Sequence, residues 1–414
     1  MPRTIVVGAG VIGLACAYAL RKRGRDVVVL DSGPPGGACS LGNAGWVSPS
    51  ISAPIPAPGL TWTSLKWMLR SDSPLYIAPK AVPSMARWLF RFWRHCNRRD
   101  FQAGLRATAE LNRHTLALFD SLAGDGIDCE LHRRGILYVF CQEEYLRSNL
   151  EEFKPLTAVG YEMPSALDGP AMRAMEPELS DNVVGGFLVG AEYHVRPETL
   201  TAGYVKRLQE LGVELQVGAY VAAPLGDKTK WRGVLTSNGP IEGDEIVLAA
   251  GAWTGGVAER FGVALPVQAG KGYSVTVPTT RGAFTRPLYL GEAKIGASPF
   301  EGAVRFAGTM ELSGINLKRD PRRIKGLRQG IDRYMRRPLG PAEGTEWVGM
   351  RPLTPDGLPM LGRAPGQHNL FVATGHAMLG VTLAPATGEA IAQLVTDPKA
   401  ETLYRPFAPD RFDW

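Results

Sequence analysis

Residues 4–32 read TIVVGAGVIGLACAYALRKRGRDVVVLDS, and in them Gly8, Gly10 and Gly13 stand as G-x-G-x-x-G between two apolar runs. Few structures accept that pattern. The first glycine lets the chain turn, the second lets backbone approach a pyrophosphate, and the third lets helix and strand pack closely. Ile12, Cys16 and Leu20 recur at helical spacing with Gly24 as the stop, and DVVVLD is apolar enough for a strand buried on both faces. The spacing therefore predicts strand, tight turn, helix, strand, with the helix N-terminus at Val11 and Ile12 offering free N–H groups to an anion. Asp31, followed by Ser32, closes the second strand 18 residues after Gly13, near the spacing of a carboxylate that binds ribose hydroxyls. A glycine triplet alone also fits a mere packing turn, but the flanking strands and the acid favour a bound dinucleotide. The acid disfavours a 2′-phosphate and leaves NAD and FAD both open.

The rest of the chain alternates helix and strand signals. Residues 33–60 are rich in glycine, proline and serine and read as loop, while 61–124 read as helical and carry many tryptophans and arginines. PETLTAGYVKRLQELG (197–212) is an amphipathic helix, EIVLAAGAW (245–253) a buried strand ending in glycine, and TLAPATGEAIAQLVT a C-terminal helix. Dinucleotide-type units at both ends, with strand material between them, predict an α/β protein. In it a Rossmann-like domain (1–48, 196–262 and 345–414) is interleaved with an α+β substrate domain (49–195 and 263–344) built on a mostly antiparallel sheet.

Composition narrows the setting. With 46 basic and 40 acidic residues the net charge is +6, an excess too dispersed to argue for nucleic acid. The basic stretch 318–338 reads as a solvated helical face. Five cysteines without C-x-x-C argue against a disulfide framework or a metal site. The apolar N-terminus ends in RKRG, so the glycine motif explains it better than a signal peptide does. No apolar run approaches the roughly 20 residues that span a bilayer, and the expected location is the cytoplasm. Trp62, Trp67, Trp88 and Trp93, interleaved with Lys66, Arg70, Arg87, Arg91 and Arg94, open two readings. The rings either pack on the nucleotide domain or lay residues 62–94 on the anionic inner face of a membrane.

Four further stretches, in order, are CSLGNAGWVSP (39–49), VLAAGAW (247–253), GMRPLTPDGLPMLG (349–362) and ATGHAMLGVTLAPATG (373–388). Together they resemble the flavoenzyme family of D-amino-acid dehydrogenases, D-amino-acid oxidases, glycine oxidases and sarcosine oxidases, over nearly the whole chain. NAGWVSPSISAPIPAPG is most similar to the bacterial D-amino-acid dehydrogenases. The resemblance implies FAD, hydride transfer from an amino acid's Cα to flavin N5, and an imine product that becomes a 2-oxo acid. It further implies electron delivery to a quinone or another acceptor, with an oxygen-using oxidase or an inactive flavin-binding subunit as rival readings. It assigns Ser40, Asn43, Ala44 and Gly45 to a loop around the flavin, Ala250, Gly251 and Trp253 to a strand end beside the cofactor, and Val221 to the adenine. Gly375, His376, Leu379, Gly380, Val381 and Thr382 would line the pyrimidine edge of the flavin. There a helix N-terminus suits the negative charge of the reduced ring, and His376 is either an electrostatic partner or a structural histidine.

The same resemblance gives Arg351 the substrate carboxylate, for which a guanidinium supplies two parallel hydrogen bonds; a structural salt bridge is the alternative. Tyr273 and Tyr289 are candidates to assist it, or else ordinary sheet residues. Sarcosine oxidases with covalent flavin carry a cysteine where this chain has Gly349, so the FAD is expected to be non-covalent. Glycine oxidases carry an arginine where this chain has Met378, which implies an apolar wall there.

Overall fold

The computed structural model describes residues 1–60, 75–279, 284–337, 344–412 and 414. Trp62, Lys66, Trp67 and Arg70 lie outside the described residues.

The N-terminal pattern forms as its spacing predicts. Strand Arg3–Val7 leads through the glycine turn into helix Val11–Lys22, which returns as strand Asp26–Asp31. These two strands sit inside a six-stranded sheet in the order Glu214–Val217, Asp26–Asp31, Arg3–Val7, Glu245–Leu248, Leu370–Thr374, Met360–Arg363. All neighbours run parallel except the last pair. Because side chains alternate along a strand, Val6, Val27, Val29 and Val247 point to one face and Ile5, Val28, Leu30 and Ile246 to the other. The first face packs on helices Val11–Lys22, Pro197–Glu210 and Gly380–Thr396, the second on a three-stranded antiparallel sheet formed by 221–242. Both faces are covered, which is why these strands read as continuous apolar runs.

A second, larger sheet stands over the first. Its order is Thr345–Leu353, Gln268–Pro278, Ala303–Leu312, Ile295–Phe300, Leu288–Leu290, Ile136–Phe140, Gly185–Val189, Ala166–Asp168. Pairing is antiparallel except between Leu288–Leu290 and Ile136–Phe140, and where Leu75–Ile77 joins Ala303–Leu312. Segment 345–353, grouped by sequence with the nucleotide domain, is an edge strand of this sheet, in register with 268–276. Arg351 therefore hangs from the sheet that roofs the cavity.

One expectation is corrected. The basic helix Pro321–Asp332 is not simply a solvated face, because Arg323 is 2% exposed and Arg328 7%, beside Ile324, Leu327 and Ile331. Arg323 donates to the carbonyl of Met310 at 3.2 Å, so burial of its charge is offset by a hydrogen bond.

Candidate active site

Between the two sheets runs one connected cavity of about 1810 Å³. Of the candidate cofactor and substrate residues named from sequence, only Gly13 and Gly375 fail to line it. Both serve packing instead: a Cβ on Gly13 would lie 1.8 Å from the Gly8 carbonyl, and one on Gly375 2.5 Å from Thr354 Cγ2.

At one end the cavity meets the phosphate turn. Gly8 holds φ at +113°, where a Cβ would strike the Ala249 carbonyl at 2.4 Å. A Cβ on Gly10 would meet only Ser40 Oγ, at 3.5 Å, so backbone at this position is open to the cavity. Val11 N–H donates to Ser40 Oγ at 3.0 Å. The Asp31 carboxylate accepts from Ala9 N–H at 2.6 Å and Gly33 N–H at 2.8 Å, which fixes it beside Ser32 and Val221 on the cavity wall.

Loop 39–45 wraps the middle of the cavity. The Asn43 amide donates to the carbonyls of Cys39 and Ser40 and accepts from Gly45 N–H at 2.7 Å, so this side chain shapes its own loop. From the roof sheet, buried Arg305 donates to the carbonyls of Leu41 and Asn43, each at 3.1 Å, and pairs with Glu198. Opposite, the Gly251 carbonyl accepts from Thr374 Oγ1 at 2.9 Å, setting Ala250 and Trp253 on the wall.

The next wall is the start of helix Gly380–Thr396, where Leu379, Gly380, Val381 and Thr382 line the cavity. No acidic residue occupies its first turn, so the positive end of the helix dipole is left for a ligand. His376 Nε2 is 2.9 Å from Thr387 Oγ1, whereas its buried Nδ1 has no partner. Burial pushes its pKa down to about 3, so the imidazole is neutral at physiological pH and contributes a dipole rather than a charge. The open backbone at Gly10, the bare helix end and the unpartnered His376 Nδ1 together fit a flavin dinucleotide.

Arg351 lines the same cavity from the roof sheet. It is half-buried, and among the described residues it makes no ion pair; Nη1 donates to the Thr309 carbonyl at 2.7 Å. Burial pulls its pKa down, yet a guanidinium keeps its charge in proteins. Gly272 lies directly beneath it, since a Cβ there would be 2.5 Å from Arg351 Cζ. Thr309 is itself unusual: φ is +59° and its buried Oγ1 has no partner. It occupies the register shift between Gln268–Pro278 and Ala303–Leu312, an irregularity that turns its carbonyl toward the arginine.

The two tyrosines part company. Tyr273 is one residue from Gly272 and so projects from the opposite face of the strand, where its hydroxyl donates to Glu311 at 2.6 Å. The structure does not bring that hydroxyl to Arg351. Tyr289 does face the cavity, with Trp46 at 6.1 Å and Tyr138 at 5.0 Å between ring centroids. Sequence reasoning missed the cation beside it: Lys294, at φ +52°, lines the cavity with Nζ 5.7 Å from the Tyr289 ring centroid. It also missed Trp347, whose indole fills the space a Cβ would claim at both Gly42 and Gly349. Met378 lies on the wall as expected, 56% exposed. Cys39 lines the cavity too, and burial raises its thiol pKa against the opposing pull of Arg351.

Comparison with known proteins follows the same lines. Residues 3–394 match the DAO family model, described as FAD dependent oxidoreductase. A D-amino acid dehydrogenase of Bradyrhizobium diazoefficiens is 30% identical over 418 residues, covering 99% of each chain. Another, from a Methylobacterium species, is 32% identical over 423 residues, again with 99% coverage of both. Among solved structures, glycine oxidase from Bacillus cereus superposes with a TM-score of 0.76 at 20% identity, covering 100% of both chains. L-proline dehydrogenase from P. horikoshii gives 0.76 at 18% identity, covering 100% of this chain and 98% of its own; at such identities the likeness is one of fold. On the family match across almost its whole length, this chain belongs to the DAO family of FAD-dependent oxidoreductases.

Proposed function

We propose that the protein is an amino acid dehydrogenase that oxidises the Cα–N bond of a small D-amino acid and passes the electrons to a quinone or similar acceptor. The observation that carries this reading is Arg351, a half-buried cation without a carboxylate partner among the described residues, facing the cavity into which the dinucleotide turn opens. Its remaining donors, turned to the cavity, are left for a ligand anion to complete. A substrate carboxylate does so with two parallel hydrogen bonds. Two full-length relatives named D-amino acid dehydrogenase support the substrate class.

FAD, when bound, supplies the hydride acceptor for the α-hydrogen. The chain holds it through Gly10, Val11 and Asp31 at the nucleotide end, loop 39–45 around the middle, and His376 with Thr382 at the ring edge. Gly349 leaves no thiol at the position used for covalent attachment in sarcosine oxidases, and Cys39 is kept a neutral thiol by burial; the cofactor is therefore held without a bond. Arg351 orients the carboxylate, and Trp46, Tyr138 and Tyr289 exclude water from the side-chain end. Helix Val82–His95 buries Trp88, which donates to the Pro266 carbonyl at 3.1 Å, but exposes Phe90 and Trp93 together with Arg87 and Arg94. That exposed stripe supports peripheral contact with an anionic membrane and its quinones.

The test is an anaerobic screen of D- and L-amino acids, including D-alanine and D-proline, for bleaching of the bound flavin. Bleaching by D-amino acids with dye reduction and little peroxide is expected. Abundant peroxide in air instead identifies an oxidase, and no bleaching by any amino acid ends the reading.

A further inference from the structure

Behind the cavity wall lies a carboxyl group with no role in the binding scheme above. Glu192, 1% exposed, sits between strands Gly185–Val189 and Tyr193–Val195. Its Oε1 accepts from Ser50 N–H at 3.0 Å and also from Ser50 Oγ. Its Oε2 and the buried hydroxyl of Ser48 make no hydrogen bond of normal geometry, although Ser48 lies near enough to stabilise the carboxylate. Ser48 and Ser50 both line the cavity. Ser48 N–H donates to Thr382 Oγ1 at 3.1 Å, so this pair of serines adjoins the helix end assigned to the flavin.

Among the described residues, the surroundings hold no charge to match Glu192. From strand Ile136–Phe140 the phenol of Tyr138 faces it, and Tyr161, after helix Glu143–Thr157, donates to the neighbouring Pro49 carbonyl at 2.7 Å. Among the described residues no cation pairs with it. Tying down the loop at Ser50 would need only an acceptor, which a glutamine supplies equally well. A carboxyl buried without a counter-charge is costly in its ionised form, and one set between two serine hydroxyls on the cavity wall has the means to change state.

We propose that Glu192 takes up, through the Ser50 hydroxyl, the proton that the substrate ammonium must lose before oxidation. In this step a substrate N–H bond breaks as the proton passes to Ser50 Oγ. The Ser50 hydroxyl proton moves to Glu192 Oε1, forming its O–H bond, and no electron pair leaves the donor or acceptor atoms. An ammonium and a carboxylate become an amine and a carboxylic acid, so two buried charges cancel, which a low-dielectric site favours. Arg351 meanwhile keeps the substrate carboxylate. Burial raises the Glu192 pKa to about 7, a value suited to collecting and returning a proton near neutrality. Glu192 thus acts through Ser50 as a proton-holding, positioning group. The inference rests on the amino-acid reading above.

The experiment compares FAD-loaded wild type, Glu192→Gln and Ser50→Ala. It follows kcat/KM for D-alanine and D-proline from about pH 6 to about pH 10, a span over which a free amine emerges. Near neutrality Glu192→Gln is expected to fall about 10- to 100-fold below wild type, the scale of general-base assistance. The gap should close toward alkaline pH, where the substrate arrives deprotonated. Ser50→Ala should show the same convergence, and it carries the test if Glu192→Gln does not retain FAD. A constant offset between the profiles, or none, overturns the proposal and leaves Glu192 a loop tie. Infrared difference spectra give an independent readout: a protonated-carboxyl C=O band titrating near neutrality in wild type and absent from Glu192→Gln. Lack of that band in wild type also overturns the proposal. If wild type oxidises no amino acid while the band is present, the amino-acid reading has failed and the proton step falls with it.

Discussion

Arg351 Nη1 donates to the Thr309 carbonyl at 2.7 Å, joining an edge strand of the roof sheet to a bulge two strands away. One donor of the guanidinium is thereby spent on orientation, and the rest remain for an anion. Arg351→Lys should raise KM for the amino acid by about 100-fold, the scale of a lost charge-assisted bidentate contact. Its flavin content should be unchanged. Steady-state kinetics beside the absorbance spectrum decide it; unaltered KM would remove Arg351 from the site.

Gly272→Ala tests the same geometry without removing charge. The new methyl would lie 2.5 Å from Arg351 Cζ, so the guanidinium must move. KM should rise by roughly tenfold or more, as misplacement of an anchoring group does, while FAD stays bound. A variant with normal KM would show that the arginine tolerates displacement.

Arg305 is expected to act on the cofactor rather than on the substrate. It holds the carbonyls of Leu41 and Asn43 and pairs with Glu198. Arg305→Met should cost roughly 1–3 kcal/mol, the scale of losing a buried charged donor to its acceptors, since the Glu198 it leaves behind is partly exposed. Protein purified from this variant should carry less FAD and require added FAD to regain activity. Equal FAD occupancy in titrations of apoprotein would refute the role given to this side chain.

Acid should destabilise the protein partly through His376. Its folded pKa is depressed to about 3 by burial, against about 6.5 when unfolded. Between those values the unfolded chain binds more protons, so stability present above the upper one is lost as pH falls. At pH 5 this amounts to about 2 kcal/mol. His194, pushed down to about 3 as well, adds the same sign, and Glu192, raised to about 7, the opposite. Both are shared by His376→Asn. That variant should therefore lose less stability than wild type between neutral and acid pH in denaturant titrations, and equal losses would contradict a buried neutral histidine.

Sedimentation with anionic vesicles tests the exposed stripe on helix Val82–His95. Wild type should bind at low salt, and Phe90→Ser with Trp93→Ser should not. Absence of wild-type binding at both low and high salt retires the membrane contact.

Much of this was legible in the sequence where the signal is local. The glycine turn, the strand ends and the proline-flanked arginine are each written within a few residues, and apart from Gly13 these residues line the cavity. Non-local pairing was not legible. Only the register of 345–353 on 268–276 reveals that Arg351 belongs to the roof, and that Gly272 rather than Tyr273 shares its face. Lys294 and Glu192 gave no signal because their meaning comes from burial against segments far along the chain. The basic helix misled for the same reason: Arg323 looks solvated by composition but ends against the Met310 carbonyl.

The two sheets divide the work between them, with the dinucleotide turn on one and the guanidinium on the other. Cofactor grip and substrate choice should therefore be largely separable by mutation: with Arg305 left in place to anchor loop 39–45, the roof around the guanidinium could be remodelled to admit a new side chain while the flavin stays held. The same partition makes the spacing between the layers a catalytic variable in its own right, since any drift of roof against floor changes how far a clasped substrate stands from the ring it must reduce.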